Sequence, residues 1–466
     1  MDQLLPLAIA IAVELALFAA VVFALFGTED LLVDALFLSN VHRLRSTPAR
    51  ARAATTRRFA IFIPAWREAA VIGHMLAASS KAWAGHDIRF YVGVYPNDLA
   101  TLITVRDAAA RDPRIRVIIN HEAGPTTKGA CLNRLWQACR ADQKTGGFST
   151  DAVLLHDAED LVDPAELAVL DRALDSNDFA QLPVVPSLAA RSRWISGHYC
   201  DEFAEAHIKD LPVRFAFGRV LPLAGVGCAF RLDVLASIAG EVGPFNPTSL
   251  TEDYELGLRL SAAGARGAFV RQRTDEGRLV ASRGYFPHQI DQAVRQKTRW
   301  LRGIAFDAWD RLGWIGPSEA EPAQRLAAYW MLWRDRRAAI AALAILCGYS
   351  AVLIAIFAYL QSPPDVDAAL AAHPVIVQLF LFNLALLLWR IAVRAACTGH
   401  VYGWHHAPLA VLRIPISNII LVMTAWRAML GHVRDYNSAT APVWDKTEHM
   451  PPVLLVPTLL TSEQTI

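Results

Sequence analysis

The sequence predicts an α/β domain with a mainly parallel, Rossmann-like sheet, inserted between membrane-spanning helices. Three observations predict it. Between Arg58 and Leu155, short apolar runs alternate with segments of helical spacing. The two ends of the chain are far more apolar than its middle, and polar clusters follow directly on apolar runs. The chain is 54% hydrophobic and only 19% charged, against about 25% charged for soluble proteins. That excess sits in residues 1–40 and 338–430, so the middle has the composition of an ordinary water-soluble domain. A net charge of +1 gives no electrostatic footprint for nucleic acid, and none is expected as a partner. Cys131, Cys139, Cys200, Cys228, Cys347 and Cys397 form no Cys-x-x-Cys pair and are read as buried, reduced thiols.

Residues 1–27 are read as an N-terminal transmembrane helix. Leu4 to Phe26 is apolar except for Glu14, long enough for a bilayer core of roughly 30 Å. A cleaved signal peptide needs a basic leader, and only Asp2 precedes the apolar run. Glu14 in mid-membrane either faces protein or a polar lumen, or sits protonated and silent. Residues 28–54 form a basic, interfacial linker with Arg43, Arg45, Arg50 and Arg52. The positive-inside rule therefore puts the following domain in the cytoplasm.

Residues 55–317 are that domain. Phe59 to Ile63, Ile88 to Val94, Ile115 to Ile119 and Ala152 to Leu155 read as buried strands. A helical run from Glu68 to Trp83 and others like it separate them, punctuated at Tyr95-Pro96-Asn97-Asp98 and Gly124-Pro125. Strand–helix alternation means a parallel sheet with helices on both faces, and ligands bind beyond the carboxyl ends of such strands. Residues 318–430 hold interfacial helices rich in tryptophan and further apolar spans at about 338–360 and 371–391. The segment 408–430 carries Arg413, Pro415, Asn418 and Arg427, which reads as an amphipathic or re-entrant helix rather than a crossing. Residues 431–466 are read as a cytosolic tail.

The polar clusters carry the chemistry. His156-Asp157-Ala158-Glu159-Asp160 follows a buried strand. Clustered carboxylates there suit Mg2+ or Mn2+, which neutralises a diphosphate leaving group; a solvated acidic turn is the alternative. Thr251-Glu252-Asp253 opens a helix, where Ser249 and Glu252 have capping-box spacing. Its other reading is Asp253 as a general base, kept ionised by the helix N-terminus. Gln296, Arg299 and Trp300 fall on one helical face. An amide, a cation and a flat ring there suit a diphosphate and a sugar; a basic interfacial helix face is the alternative.

In this order the clusters resemble the membrane-embedded family-2 glycosyltransferases of GT-A fold, the group that includes cellulose, chitin and hyaluronan synthases. The resemblance covers roughly residues 55–305. More narrowly, the 156–160 cluster, Gly225-Val226-Gly227-Cys228-Ala229-Phe230 and the stretch from Val294 to Gly303 resemble the branch of that family known from phage adsorption at the bacterial inner membrane. That branch also carries a cyclic-di-GMP-sensing domain, to which the resemblance does not extend.

The resemblance implies roles. Pro64, Ala65 and Glu68 match the nucleotide-binding first strand and turn. Asn97 and Asp98 stand where most members have an acidic base-binding turn, a departure that leaves Asp98 as the candidate. Lys128, Gly129 and Asn133 match the segment that reaches uracil and phosphate. Asp157 matches the first metal-binding acid, and Glu159 or Asp160 the second. Asp253, with Glu252 beside it, matches the catalytic base; Gln296, Arg299 and Trp300 match the acceptor and diphosphate platform. Trp444-Asp445-Lys446-Thr447-Glu448-His449 resembles a gating segment, with Lys446 and His449 toward the diphosphate. The implied activity is inverting, metal-dependent transfer of a sugar, an N-acetylhexosamine, from a UDP-sugar to an exported glycan acceptor. The implied setting is the bacterial inner membrane, a lipid bilayer with a periplasmic or outer-membrane export partner. Addition of one sugar to a lipid carrier and a catalytically silent export or phage-entry scaffold are the alternatives.

Overall fold

The computed structural model describes residues 4–48, 55–188, 192–317 and 320–438. The chain starts on helix α1 (Leu4–Ser39), which continues well past the expected end at residue 27. The apolar runs then become β1 (Phe59–Pro64), β2 (Ile88–Val94), β3 (Ile115–Ile119) and β4 (Ala152–Leu155). Further strands are β5 (Phe179–Gln181), β6 (Val184–Ser187), β7 (Cys228–Arg231), β8 (Gly267–Phe269) and β9 (Ser282–Tyr285). The main sheet runs β3-β2-β1-β4-β7-β5-β8, parallel except for β7, which is antiparallel to both neighbours. β6 and β9 make a separate parallel pair.

β1 is buried along its whole length because helices cover both faces of the sheet. Phe59, Ile61 and Ile63 join one core, with residues of α2 (Ile72–Ala82) and α3 (Leu99–Arg111). Ala60 and Phe62 point the other way, toward Leu132 and Leu135 of α4 (Lys128–Thr145). This two-residue alternation fixes register, since a one-residue slip would exchange the two cores.

Among the further helices, α5 (Ile195–Glu205) lies between β6 and β7 and α6 (Glu252–Ala262) between β7 and β8, while α7 (Ile290–Leu301) and α8 (Pro322–Arg336) follow β9. The apolar end of the chain forms α9 (Ala338–Gln361), α10 (Pro374–Tyr402) and α11 (Ile414–Ser438). α1, α9, α10 and α11 are each long and apolar enough to cross a membrane. The segment expected to be re-entrant therefore contains a fourth helix of spanning length. The polar residues that argued against this are engaged with protein. Arg413 is buried and donates to the Gly197 carbonyl at 2.7 Å and to Asp201 at 3.2 Å. Asn418 donates to the Tyr349 hydroxyl at 3.0 Å. Arg390 and Arg394 lie within α10, and Arg390 pairs with Glu205 at 2.5 Å. Glu14 shares a recess with Asp365 and His373, near the helical link between α9 and α10.

Ion pairs fasten this bundle to the α/β domain. Arg337 meets Glu29 and Asp30 at 2.6 Å each, and Arg334 meets Asp30 at 2.9 Å. Lys209 lies between Asp34 at 2.5 Å and Glu205 at 3.0 Å, all three buried. Removing one charge from such a group strands the others without water. Lys209→Ala is expected to destabilise the protein by about 3–5 kcal/mol. Adding Asp34→Asn is expected to recover part of that loss, read as the thermal midpoint of detergent-purified protein.

Candidate active site

β1 ends at Pro64 and β4 at Leu155, and both open on a cavity of about 530 Å³. Pro64 and Glu68 line it from the first strand, and Asp157, Glu159 and Asp160 from the fourth. Lys128 enters from the first turn of α4, Glu252 and Asp253 from the first turn of α6. Gln296, Arg299 and Trp300 complete the wall from α7. The three sequence clusters thus converge on one hollow.

At its centre, Lys128 Nζ lies 2.7 Å from Asp157 Oδ1 and 3.7 Å from Glu252 Oε1. Asp253 stands close by, its Oδ1 accepting from the Tyr254 N–H at 2.8 Å. Gly225 lets these groups approach. A β-carbon there would sit 2.6 Å from Asp253 Oδ2 and 3.0 Å from Lys128 Nζ, and its φ of +74° also favours glycine. Gly225 is a residue of the site to which the sequence assigned no role. The Gly225-Val226-Gly227 spacing was the available signal, and both glycines have positive φ.

Three carboxylates, Asp157, Glu252 and Asp253, act on one ammonium. Burial pushes the Glu252 carboxyl up to about 7, against the pull of Lys128 and with the push of Asp253. Asp253 is raised for the same reason, burial first, and Lys128 again opposes. Burial works against the charge of Lys128, but Asp157, Glu252 and Asp253 outweigh it and hold the ammonium above its ordinary range. The excess negative charge suits a hard divalent cation. Among the described residues no three His, Cys, Asp or Glu side chains already form a metal-binding group. Asp157 and Glu159 line the cavity, where one or two carboxylates together with diphosphate oxygens are an ordinary Mg2+ or Mn2+ ligand set.

Asp160 is differently engaged. Its Oδ2 lies 2.7 Å from His156 Nδ1 and accepts from the Asp157 N–H at 3.0 Å. Glu166 Oε1 lies 3.0 Å from His156 Nε2, without hydrogen-bond alignment. Burial opposes a charge on this imidazole, yet Glu166 and Asp160 raise it to about 10, so it is an imidazolium at neutral pH. This buried group braces the turn that carries Asp157.

The capping box that the Ser249 and Glu252 spacing allows is not formed: Ser249 donates to Glu255 at 2.5 Å, leaving Glu252 to face Lys128. Other expected site residues hold loops and do not line the cavity. Ala65 is buried behind it, donating to the Gly93 carbonyl at 2.8 Å. The Asn97 side chain clamps Gly124 through two 2.7 Å hydrogen bonds. Asp98 caps α3 and accepts from the Arg67 N–H at 2.6 Å. Asn133 bonds the Phe245 backbone at 2.8 and 3.0 Å. Lys446 and His449 lie outside the described residues.

On the opposite wall, Trp300 packs with Tyr199, Phe203 and Phe286, ring centroids 6.1 to 6.3 Å away. The Oε1 of buried Gln296 has no hydrogen-bond partner. A polar atom left open beside an aromatic wall is what a sugar or phosphate ligand would satisfy.

Residues 56–303 match the family described as glycosyltransferase like family 2. The bacteriophage adsorption protein B of Escherichia coli K12 is 32% identical over 93% of this chain, and the bacteriophage N4 adsorption protein B of E. coli O157:H7 matches equally. The chain spans 62% of the length of these relatives. Among solved structures, a mannosyltransferase from Pyrobaculum calidifontis, in complex with GDP-mannose and Mn2+, shares the fold: TM-score 0.50 and 15% identity, covering 91% of this chain and 99% of that one. With the match spanning more than half its residues and the clusters gathered in one cavity, the chain belongs to glycosyltransferase family 2.

Proposed function

We propose that the protein is an inverting, metal-dependent transferase that moves a sugar, an N-acetylhexosamine, from a UDP-sugar to a growing exported glycan. One observation carries the reading: Asp253, Asp157 and Lys128 line the same cavity, with Trp300 on its wall. An acceptor hydroxyl placed by Trp300 gives its proton to Asp253 while its oxygen attacks the anomeric carbon. The bond from that carbon to the diphosphate breaks, the electron pair leaves with UDP, and the anomeric centre inverts. A divalent cation at Asp157 and Glu159 would supply charge neutralisation for the departing diphosphate. Lys128 and Arg299 add positive charge to the same cavity.

The position of α7 supports a membrane-borne acceptor path. Ala293 and Val294 pack on Ile420, and Leu301 near Ala425 and Ala428, so the helix that carries Gln296, Arg299 and Trp300 rests on α11. We place the catalytic domain in the cytoplasm, where nucleotide sugars are made, and an export partner beyond the bilayer.

Asp253→Asn is expected to lower UDP release from the donor about 10²–10⁴-fold while UDP still binds. Asp157→Asn is expected to raise the Mn2+ or Mg2+ concentration needed for half-maximal rate, read by metal titration of the chelator-treated enzyme. Lys128→Met removes the charge that holds Glu252 and Asp253 down. Both would then keep their protons to higher pH, so the acid limb of the kcat/KM profile is expected to move upward.

A further inference from the structure

The same cavity extends to His207, a residue none of the three clusters includes. His207 lies in a five-residue π-helical turn, Ala206–Asp210, that follows α5. Such turns re-aim side chains and recur at functional sites. Its ring stacks on Phe203 at 5.3 Å with an interplanar angle of 9°. Phe203 in turn packs against Phe286 and Trp300. His207 therefore stands at the edge of the aromatic wall.

Its tautomer follows from one hydrogen bond. Nδ1 accepts from the Val184 N–H at 3.1 Å, in the strand that pairs with β9. Burial, with the nearby charge of Arg271, pushes the imidazole down to about 3, so the ring is neutral. A neutral ring with Nδ1 accepting carries its proton on Nε2. The one hydrogen bond of the ring to a described residue is that at Nδ1, and the residue, 8% exposed, lines the cavity. A lone fixed donor beside a row of aromatic faces matches a pyranose, which stacks by its C–H face and accepts by its oxygens.

We propose that His207 positions the acceptor saccharide by donating its Nε2–H to a hydroxyl or acyl oxygen of a sugar ring held against the Phe203–Trp300 wall. This rests on the transferase reading above. His207 is a positioning residue and takes no part in bond making. It also sets a preference. An N-acetyl or hydroxyl group presents a lone pair to Nε2–H, whereas a protonated amine presents none and leaves the donor unsatisfied.

His207→Asn and His207→Gln separate this role from a structural one. Asparagine keeps an oxygen near the Nδ1 position for Val184 but loses the distal N–H; glutamine returns an N–H near the Nε2 position. The probe is a β-linked N-acetylglucosamine tetrasaccharide and its de-N-acetylated form, titrated by tryptophan fluorescence into detergent-purified protein saturated with UDP and Mn2+. Wild type is expected to bind the acetylated form more tightly. His207→Asn is expected to weaken that binding roughly tenfold, the size of one neutral hydrogen bond, and His207→Gln to restore it to within about threefold. UDP affinity and the thermal midpoint stay at wild-type values. Unchanged tetrasaccharide binding in His207→Asn, equal binding of both saccharides, or no binding by wild type would overturn the proposal. Because the readout is binding, failure of sugar transfer overturns the transferase reading separately.

Discussion

The site depends on one electrostatic arrangement: a buried ammonium, Lys128, held among Asp157, Glu252 and Asp253. These acids come from a strand end and a helix start that are far apart in sequence. Without a cation between them, three carboxylates in so enclosed a place would hold their protons, because burial penalises each charge. Lys128 keeps the group partly ionised and leaves a net negative charge that a divalent ion and a nucleotide can use. Gly225 is part of the same arrangement, since any side chain there would collide with both Asp253 and Lys128.

The scaffold around it has two jobs. The sheet, buried on both faces, fixes where β1 and β4 end, and the His156–Asp160 pair stiffens the turn after β4. The helical bundle meets the domain through ion pairs around Asp30, Asp34 and Glu205 and through the packing of α7 on α11. The wall that carries Trp300 is therefore braced by a helix of membrane-spanning length, and the carboxylates by the sheet.

Much of this was legible in the sequence because its signals are local. Apolar runs of strand length located β1, β2, β3 and β4 nearly to the residue, and Pro64 ends β1 as expected. The cavity residues Asp157, Asp253 and Trp300 were readable from their spacing and from family order. What was not legible rests on partners distant in the chain. Arg413 reads as too polar for a spanning segment until Asp201 and Gly197 are seen to hold it. Ser249 and Glu252 have capping-box spacing, but Glu255 takes the serine and Lys128 the glutamate. Asn133 matches a motif position, yet its amide is used on the Phe245 backbone. His207 has no motif around it, and only a π-turn brings it to the cavity.

The most direct measurement follows a panel of UDP-sugars by proton NMR, with detergent-purified protein, Mn2+ or Mg2+, and a saccharide acceptor. The account predicts that a donor with an α-anomeric signal is consumed only with the cation present, and that the new glycosidic signal is β. Consumption with retained configuration would contradict the role given to Asp253, and no consumption of any donor with either cation would contradict the account as a whole.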